Sequence, residues 1–219
     1  MEIVTACTLD CTDTCSLLVR VLDDDSIRIK GNPKHPFTAG FTCGKIRRHP
    51  QRLRSVHRIT SPLLRKGQVW ESIEWREALQ LCAQKIQEYR SEPETLLHIR
   101  GDGDTGVLSQ ASKLFFASLG ASHVAGSLCD MAGIAACIAD FGSLDTNDPL
   151  DLANASAVVN WGKDLGRSSN HVAAIVGKVR KSGGKVLTVS PGGDGNRMFS
   201  EKMIRIRPGT DRFLAAAVI

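Results

Sequence analysis

Cys7, Cys11 and Cys15 recur at every fourth residue of ACTLDCTDTCS, and Cys43 follows in FTCGK. The pattern is Cys-x3-Cys-x3-Cys-x27-Cys. Thiolates so placed suit a soft metal or a metal–sulfur cluster. Structural zinc sites usually pair their ligands as two knuckles, C-x2-C with C-x2-C or H-x3-H, and this spacing has no such pairing. A triplet from one loop with a remote fourth cysteine is how a chain wraps an iron–sulfur cube. Iron–sulfur is the preferred reading and zinc the alternative. Thr8, Asp10, Thr12, Asp13 and Thr14 between the cysteines do not suit a plain apolar core. Seven cysteines, an odd number crowded toward one end of 219 residues, do not suit a disulfide framework either. Cys82 and Cys137 fall on apolar helical faces and are expected in the core.

A second pattern, Gly101-Asp102-Gly103-Asp104-Thr105-Gly106, satisfies G-x-G-x-x-G between an expected strand and an expected helix. Asp102 and Asp104 would place carboxylates against a pyrophosphate. No strand ending in an acid follows about twenty residues on. A dinucleotide of the NAD type is rejected.

The elements that must position these groups can be read from periodicity. Residues 16–22 (SLLVRVL) and 26–30 (SIRIK) are β-branched runs around Asp23–Asp24–Asp25 and predict a hairpin. With the cysteines they make a small β-rich unit, too short to build a sufficient core without a metal. Trp75, Ala78, Leu79, Cys82 and Ile86 share one face of a helix over about 75–89, with Ser72 or Glu74 near its start and Pro93 after its end. Residues 95–100 (TLLHIR) are expected to form a buried strand. Helices are expected through Leu119, over about 130–141 and over 169–182. Strands are expected at 157–162, 185–190 and 203–207. Strands alternating with helices from residue 95 onward predict α/β layers with a mainly parallel sheet. Thr210 is placed to cap a last short helix through FLAAAVI, which has the look of an interrupted element.

Composition is that of an ordinary globular chain, 42% hydrophobic and 23% charged. No run of eighteen apolar residues exists, and MEIVTACTLDC lacks the basic and apolar regions of a secretory signal. A cytoplasmic protein is expected. The net charge of +5 is unevenly spread, because residues 45–66 hold eight Lys or Arg and no acid. One basic segment on a mildly acidic body predicts an anionic neighbour. A nucleic-acid-binding module would need bases to stack on, yet that segment has no aromatic residue.

The run CTLDCTDTCSLLVRV…IKGNPKHPFTAGFTCGK resembles the N-terminal cluster domain of the molybdopterin (Mo/W-bisPGD) oxidoreductases, the formate dehydrogenase and dimethyl sulfoxide reductase family. The resemblance continues in family order through RITSPLLRKG, ESIEWREALQ, VVNWGKD, KVLTVSP and IRIRPGTD. It implies that Cys7, Cys11, Cys15 and Cys43 hold a 4Fe-4S cluster and that Lys45 lies between cluster and pterin. The family often has glycine directly after that lysine, where this chain has Ile46. GSLCDMAG matches the place of the Mo or W ligand and nominates Cys129, at an expected helix start where the backbone dipole favours a thiolate. An ordinary buried cysteine is the plain alternative. Formate dehydrogenases carry His after that ligand, and here it is Asp130.

By the same resemblance, molybdopterin guanine dinucleotide would meet the loops after three strands, where open α/β sheets bind ligands. These are Gly162, Lys163 and Asp164, then Ser190, Pro191 and Gly192, then Gly209, Thr210 and Asp211 at a helix start. Turns and a cap are the plain alternative at each. The implied organisation is a cluster domain over 1–60, a first α/β segment over 61–128 and a partial Rossmann-like dinucleotide-binding domain over 129–219. The implied function is that of the N-terminal part or subunit of a molybdopterin-dependent oxidoreductase acting on a small substrate. Catalysis by these residues alone is not expected. The implied partners are the remainder of the catalytic subunit and an electron-transfer partner, with no nucleic acid and no membrane insertion. An iron–sulfur electron-transfer subunit without Mo and a zinc-stapled basic module are the alternatives.

Overall fold

The computed structural model describes residues 2–9, 11–101, 107–124, 126–127, 130–144 and 147–219. The chain divides into two units, one made of Met1–Arg54 with Thr146–Ile219 and the other of Ser55–Asp145.

The first unit opens with β1 (Ile3–Ala6), β2 (Ser16–Val21) and β3 (Ile27–Gly31), an antiparallel sheet with β2 in the middle. The predicted hairpin is β2–β3, and its register runs from Leu17 opposite Gly31 to Val21 opposite Ile27. Its turn is held by Asp24, whose carboxylate accepts the Ser26 N–H at 2.9 Å. β1 has no counterpart among the sequence expectations. After β3 the chain folds back on itself so closely that a Cβ on Gly31 would collide with the Gly40 carbonyl. Two short helices follow, α1 (Gly44–Arg47) and α2 (His49–Leu53), the second with Pro50 in its first turn. Cys15, Leu17 and Ile46 form a small buried cluster here, backed by Cys7, Leu9 and Ile29. Ile46, which follows Lys45, contributes its side chain to this core.

The second unit contains the hairpin β4 (Leu63–Lys66) and β5 (Val69–Ser72), then α3 (Trp75–Gln87). β6 (Leu97–His98) pairs in parallel with β7 (Ser122–His123), which follows α4 (Val107–Leu119). α5 (Met131–Phe141) completes it. Two expectations fail in this unit. The buried strand over 95–100 is a two-residue pairing whose Leu97 is 59% exposed. Cys82 is exposed and Cys137 only partly covered, not core. The physical reason is common to both: the apolar faces exist, but among the described residues of this unit only Ala121 is buried.

The chain then returns to the first unit. β8 (Ala157–Trp161), α6 (Leu165–Ser168), α7 (Asn170–Lys181), β9 (Lys185–Ser190), β10 (Lys202–Arg205) and α8 (Asp211–Val218) follow in order. The three strands form a parallel sheet in the order β10-β9-β8. Ala173, Val176 and Val179 recur at helical spacing on α7 and pack on Val158 and Val186 of the sheet, with Leu165 beside them. Val176 and Val186 are each 1% exposed. The architecture is the expected mixed α/β fold, a small antiparallel sheet preceding parallel layers. Thr210 does not cap α8: its hydroxyl donates to the Arg207 carbonyl at 2.7 Å, and no side chain caps that helix.

Candidate functional site

The loop between β1 and β2 brings the cysteine triplet back toward itself. The Cys7 N–H donates to the Cys15 carbonyl at 2.8 Å, and Thr14 turns the loop with φ of 42°. Cys43 stands directly before α1, so Lys45 lies within its first turn. Cys7, Cys11, Cys15 and Cys43 line one enclosed cavity together with Lys45 and His171. All four are free thiols. Among the described residues, no three His, Cys, Asp or Glu side chains converge as a single-ion site requires.

The cavity's electrostatics follow from its depth. Burial pushes the Cys15 thiol up to about 11, and the negative neighbours Cys7, Asp13, Cys11 and Cys43 add to it. Burial also raises Cys11, with the Asp13 N–H and the Lys45 cation acting in the opposite direction. A metal cluster binding here would displace protons from these thiols, which couples binding to deprotonation. The set fits a 4Fe-4S group: four unpaired soft donors, an apolar backing of Leu17, Ile46 and Ile29, and a cation at the wall.

Behind the cavity lies a polar bridge that sequence reasoning missed. Asp13 accepts from the Ser169 hydroxyl at 2.9 Å, from the His171 N–H at 3.3 Å, and pairs with His171 Nδ1 at 2.8 Å. The other ring nitrogen, Nε2, meets the Phe41 carbonyl at 2.9 Å. Burial opposes ionisation of Asp13, but the hydrogen bonds from His171 and Ser169 outweigh it and hold the carboxyl below its ordinary value. Asp13 is 2% exposed and His171 4%. Cys11 Sγ also approaches the Ser168 carbonyl at 3.6 Å. No local motif could have signalled this, since 158 positions separate Asp13 from His171.

The three loops nominated for the dinucleotide lie together at the carboxyl edge of the parallel sheet. Gly162 leaves β8 with φ of 74°, its N–H on the Val189 carbonyl at 2.9 Å, and a Cβ there would meet nothing within 4 Å. The Lys163 carbonyl is held by Asn160 Nδ2 at 2.9 Å and Asn196 Nδ2 at 2.8 Å. Asp164 accepts from Arg167 at 3.1 Å and from the Gly195 N–H at 3.4 Å. Ser190 is buried and donates to Asp194 at 2.5 Å, while the Pro191 carbonyl accepts from Arg205 at 3.2 Å. Asp211 accepts from Trp161 Nε1 at 2.7 Å, tying the start of α8 to the end of β8. Gly209 has φ of 78° and, like Gly162, open space where a Cβ would be. The edge is thus internally knitted but keeps glycine-lined room. A separate cavity of about 310 Å3 has Thr12, Asn160, Lys163 and Ser169 in its lining, beside the apolar Val158, Leu165 and Val176. Cys129 and residues 102–106 of the G-x-G-x-x-G run lie outside the described residues.

Known proteins resemble this chain over nearly its whole length. The molybdopterin oxidoreductase Fe4S4 domain matches residues 1–55, and the molybdopterin oxidoreductase domain matches residues 58–218. A probable oxidoreductase of Bacillus subtilis, YyaE, is 32% identical over 98% of this chain and 32% of its own length. The F420-dependent formate dehydrogenase subunit alpha of Methanocaldococcus jannaschii is 26% identical over 95% of this chain and 31% of its own. The solved structure of acetylene hydratase from Pelobacter acetylenicus shares the fold, with a TM-score of 0.72 at 21% identity, covering 95% of this chain and 30% of that one. The chain spans about a third of the length of these relatives.

Proposed function

Because the chain belongs to the molybdopterin oxidoreductase family, we propose that it is a part or subunit of such an enzyme, carrying the 4Fe-4S site and one side of the pterin site. The cofactors supply one-electron storage in the cluster and two-electron chemistry at Mo or W. Cys7, Cys11, Cys15 and Cys43 bind the cluster. Lys45, at the wall of the same cavity, provides a positive charge between cluster and pterin. The glycine-lined edge at Gly162, Lys163 and Asp164, at Ser190 and Pro191, and at Gly209, Thr210 and Asp211 receives the guanine dinucleotide, with backbone groups offered where Cβ atoms are lacking. Cys129 is the ligand this reading assigns to Mo or W. The domain limits of 1–60, 61–128 and 129–219 go with it, as do a cytoplasmic location, the remainder of the catalytic subunit and an electron-transfer partner. Among the described residues no helix is long and apolar enough to cross a membrane.

The observation that carries the proposal is the convergence of four free thiols and Lys45 on one cavity. Anaerobic purification with metal and sulfide analysis tests it. About four irons per chain with Mo or W is the expected result. Iron without Mo or W would favour an electron-transfer subunit, and zinc alone would sink both.

A further inference from the structure

Residues 26–54 contain eight Lys or Arg and no Asp or Glu. The Arg48 N–H donates to the Lys45 carbonyl at 3.2 Å and the Arg52 N–H to the Arg48 carbonyl at 3.1 Å, so α2 continues α1 through Arg48. Lys45, Arg48 and Arg52 therefore recur at i, i+3 and i+7 along one side, while Ile46 is buried. Lys45 stands at the wall of the cysteine cavity, and Arg52 lies roughly 10 Å farther along the helical path. Arg47, Arg48 and Arg52 are exposed. Arg47 makes a long bond of 3.5 Å to the Thr42 carbonyl. Among the described residues, the Arg48 and Arg52 side chains have no hydrogen bond or ion pair. Arg54 is engaged elsewhere, on the Asp25 carbonyl of the acidic β2–β3 turn. α2 also lies beside β3, whose Arg28 and Lys30 are exposed on one face of the strand. A guanidinium does not lose its proton in a protein, so these arginines form a permanent positive surface beginning at the cavity wall.

We propose that the arginine stripe of α1 and α2 docks an acidic one-electron carrier protein beside the cluster. The proposal rests on the cluster reading given above, and it gives the electron-transfer partner a surface and a charge. The step is a transfer of one electron between the carrier and the 4Fe-4S cluster: one is oxidised as the other is reduced, and no bond or proton is exchanged. Two observations select this occupant. Unpaired fixed cations call for an acidic partner, which they steer into encounter. Continuity with the cysteine cavity calls for a redox partner. A nucleic acid is disfavoured, because α1 and α2 carry no Phe, Tyr or Trp on which bases could stack.

The test uses a plant-type 2Fe-2S ferredoxin, an acidic carrier, as probe, with its binding to the full chain read by interferometry under anaerobic conditions. The dissociation constant is expected to rise at least about tenfold between about 0.01 and about 0.1 M ionic strength, as the Debye length falls from about 30 to about 10 Å. Arg48→Glu with Arg52→Glu is expected to weaken binding at low salt by at least about tenfold. Lys181→Glu with Lys185→Glu makes the same charge change in the connection between α7 and β9, and is expected to stay within about twofold of wild type. Should the reversed pair fail to fold, the neutral pair Arg48→Gln with Arg52→Gln decides, with an expected loss of at least about threefold. In stopped flow, electron transfer from the reduced ferredoxin to the cluster should slow in the same proportion, while reduction by methyl viologen radical, a small cation, should not slow. Salt-independent binding overturns the inference, as does an equal loss in the two Glu pairs or a Gln pair that binds like wild type. Tighter binding of a single-stranded oligonucleotide than of the ferredoxin overturns it too. A chain that holds no iron overturns the cluster reading, whereas an iron-loaded chain that ignores the ferredoxin overturns this inference alone.

Discussion

The two units of this chain are built from similar elements but bury them very differently. In the unit of residues 1–54 and 146–219, α7 and the parallel sheet enclose Val158, Val176, Val179 and Val186, and the cysteine loop encloses Cys15, Leu17 and Ile46. In the unit of 55–145, α3 has the same kind of apolar stripe, yet Trp75 is 65% exposed and Leu79 63%. Hydrophobic periodicity specifies which face of a helix is apolar. It does not supply the surface that covers it. The four cysteines proposed to bind the cluster lie in the unit with its own core, where packing locks rotamers.

The contrast can be broken or sharpened by four measurements. Chelating iron from the cluster, or replacing Cys15 by Ala, has the largest expected effect: complete loss of iron and much faster amide exchange over residues 7–15 and 41–45. Exchange over 55–145 should stay as it was, and a comparable rise there would erase the distinction between the units. Val176→Ala removes two methyls from a fully buried position and is expected to cost about 2 kcal/mol of stability in the first unit, read as faster exchange in β8 and β9. Ser169→Ala leaves Asp13 short of one donor in a buried site and should cost about 1–2 kcal/mol, seen as earlier loss of the cluster in a urea titration. Leu79→Ala, on the exposed stripe of α3, should fall within about 0.5 kcal/mol. A larger cost for Leu79 than for Val176 would reverse the comparison.

How much of this was legible in the sequence depended on distance along the chain. The β2–β3 hairpin, α3, α7 and the strands β8 and β9 are local patterns of period 2 or 3.6, and they stand close to where those patterns place them. β1 was not readable, because its four residues are all exposed and so carry no in–out alternation. The cysteines were visible as a spacing. The bridge of Asp13, Ser169 and His171 was not, since its members are ordinary polar residues until the fold brings them together. Cys82 was misjudged for the opposite reason: a sound local signal, an apolar helical face, met no covering partner among the described residues. At the strand edge, the Trp161–Asp211 bond joins residues 50 positions apart and left no local sign, and Gly162 and Gly209, nominated only as loop residues, both take positive φ.

The bonds from Asp13 to Ser169 and His171 also impose an order of events during synthesis. The cysteine loop leaves the ribosome early, while its locking partners are translated 156 and 158 residues later. At roughly 5–20 residues per second that interval is about 8–30 s, during which the loop has neither Ser169 nor the His171 ring to anchor Asp13. The nascent loop is in that window a set of open, oxidisable thiols. It becomes a closed cage only when α7 has been made and has docked.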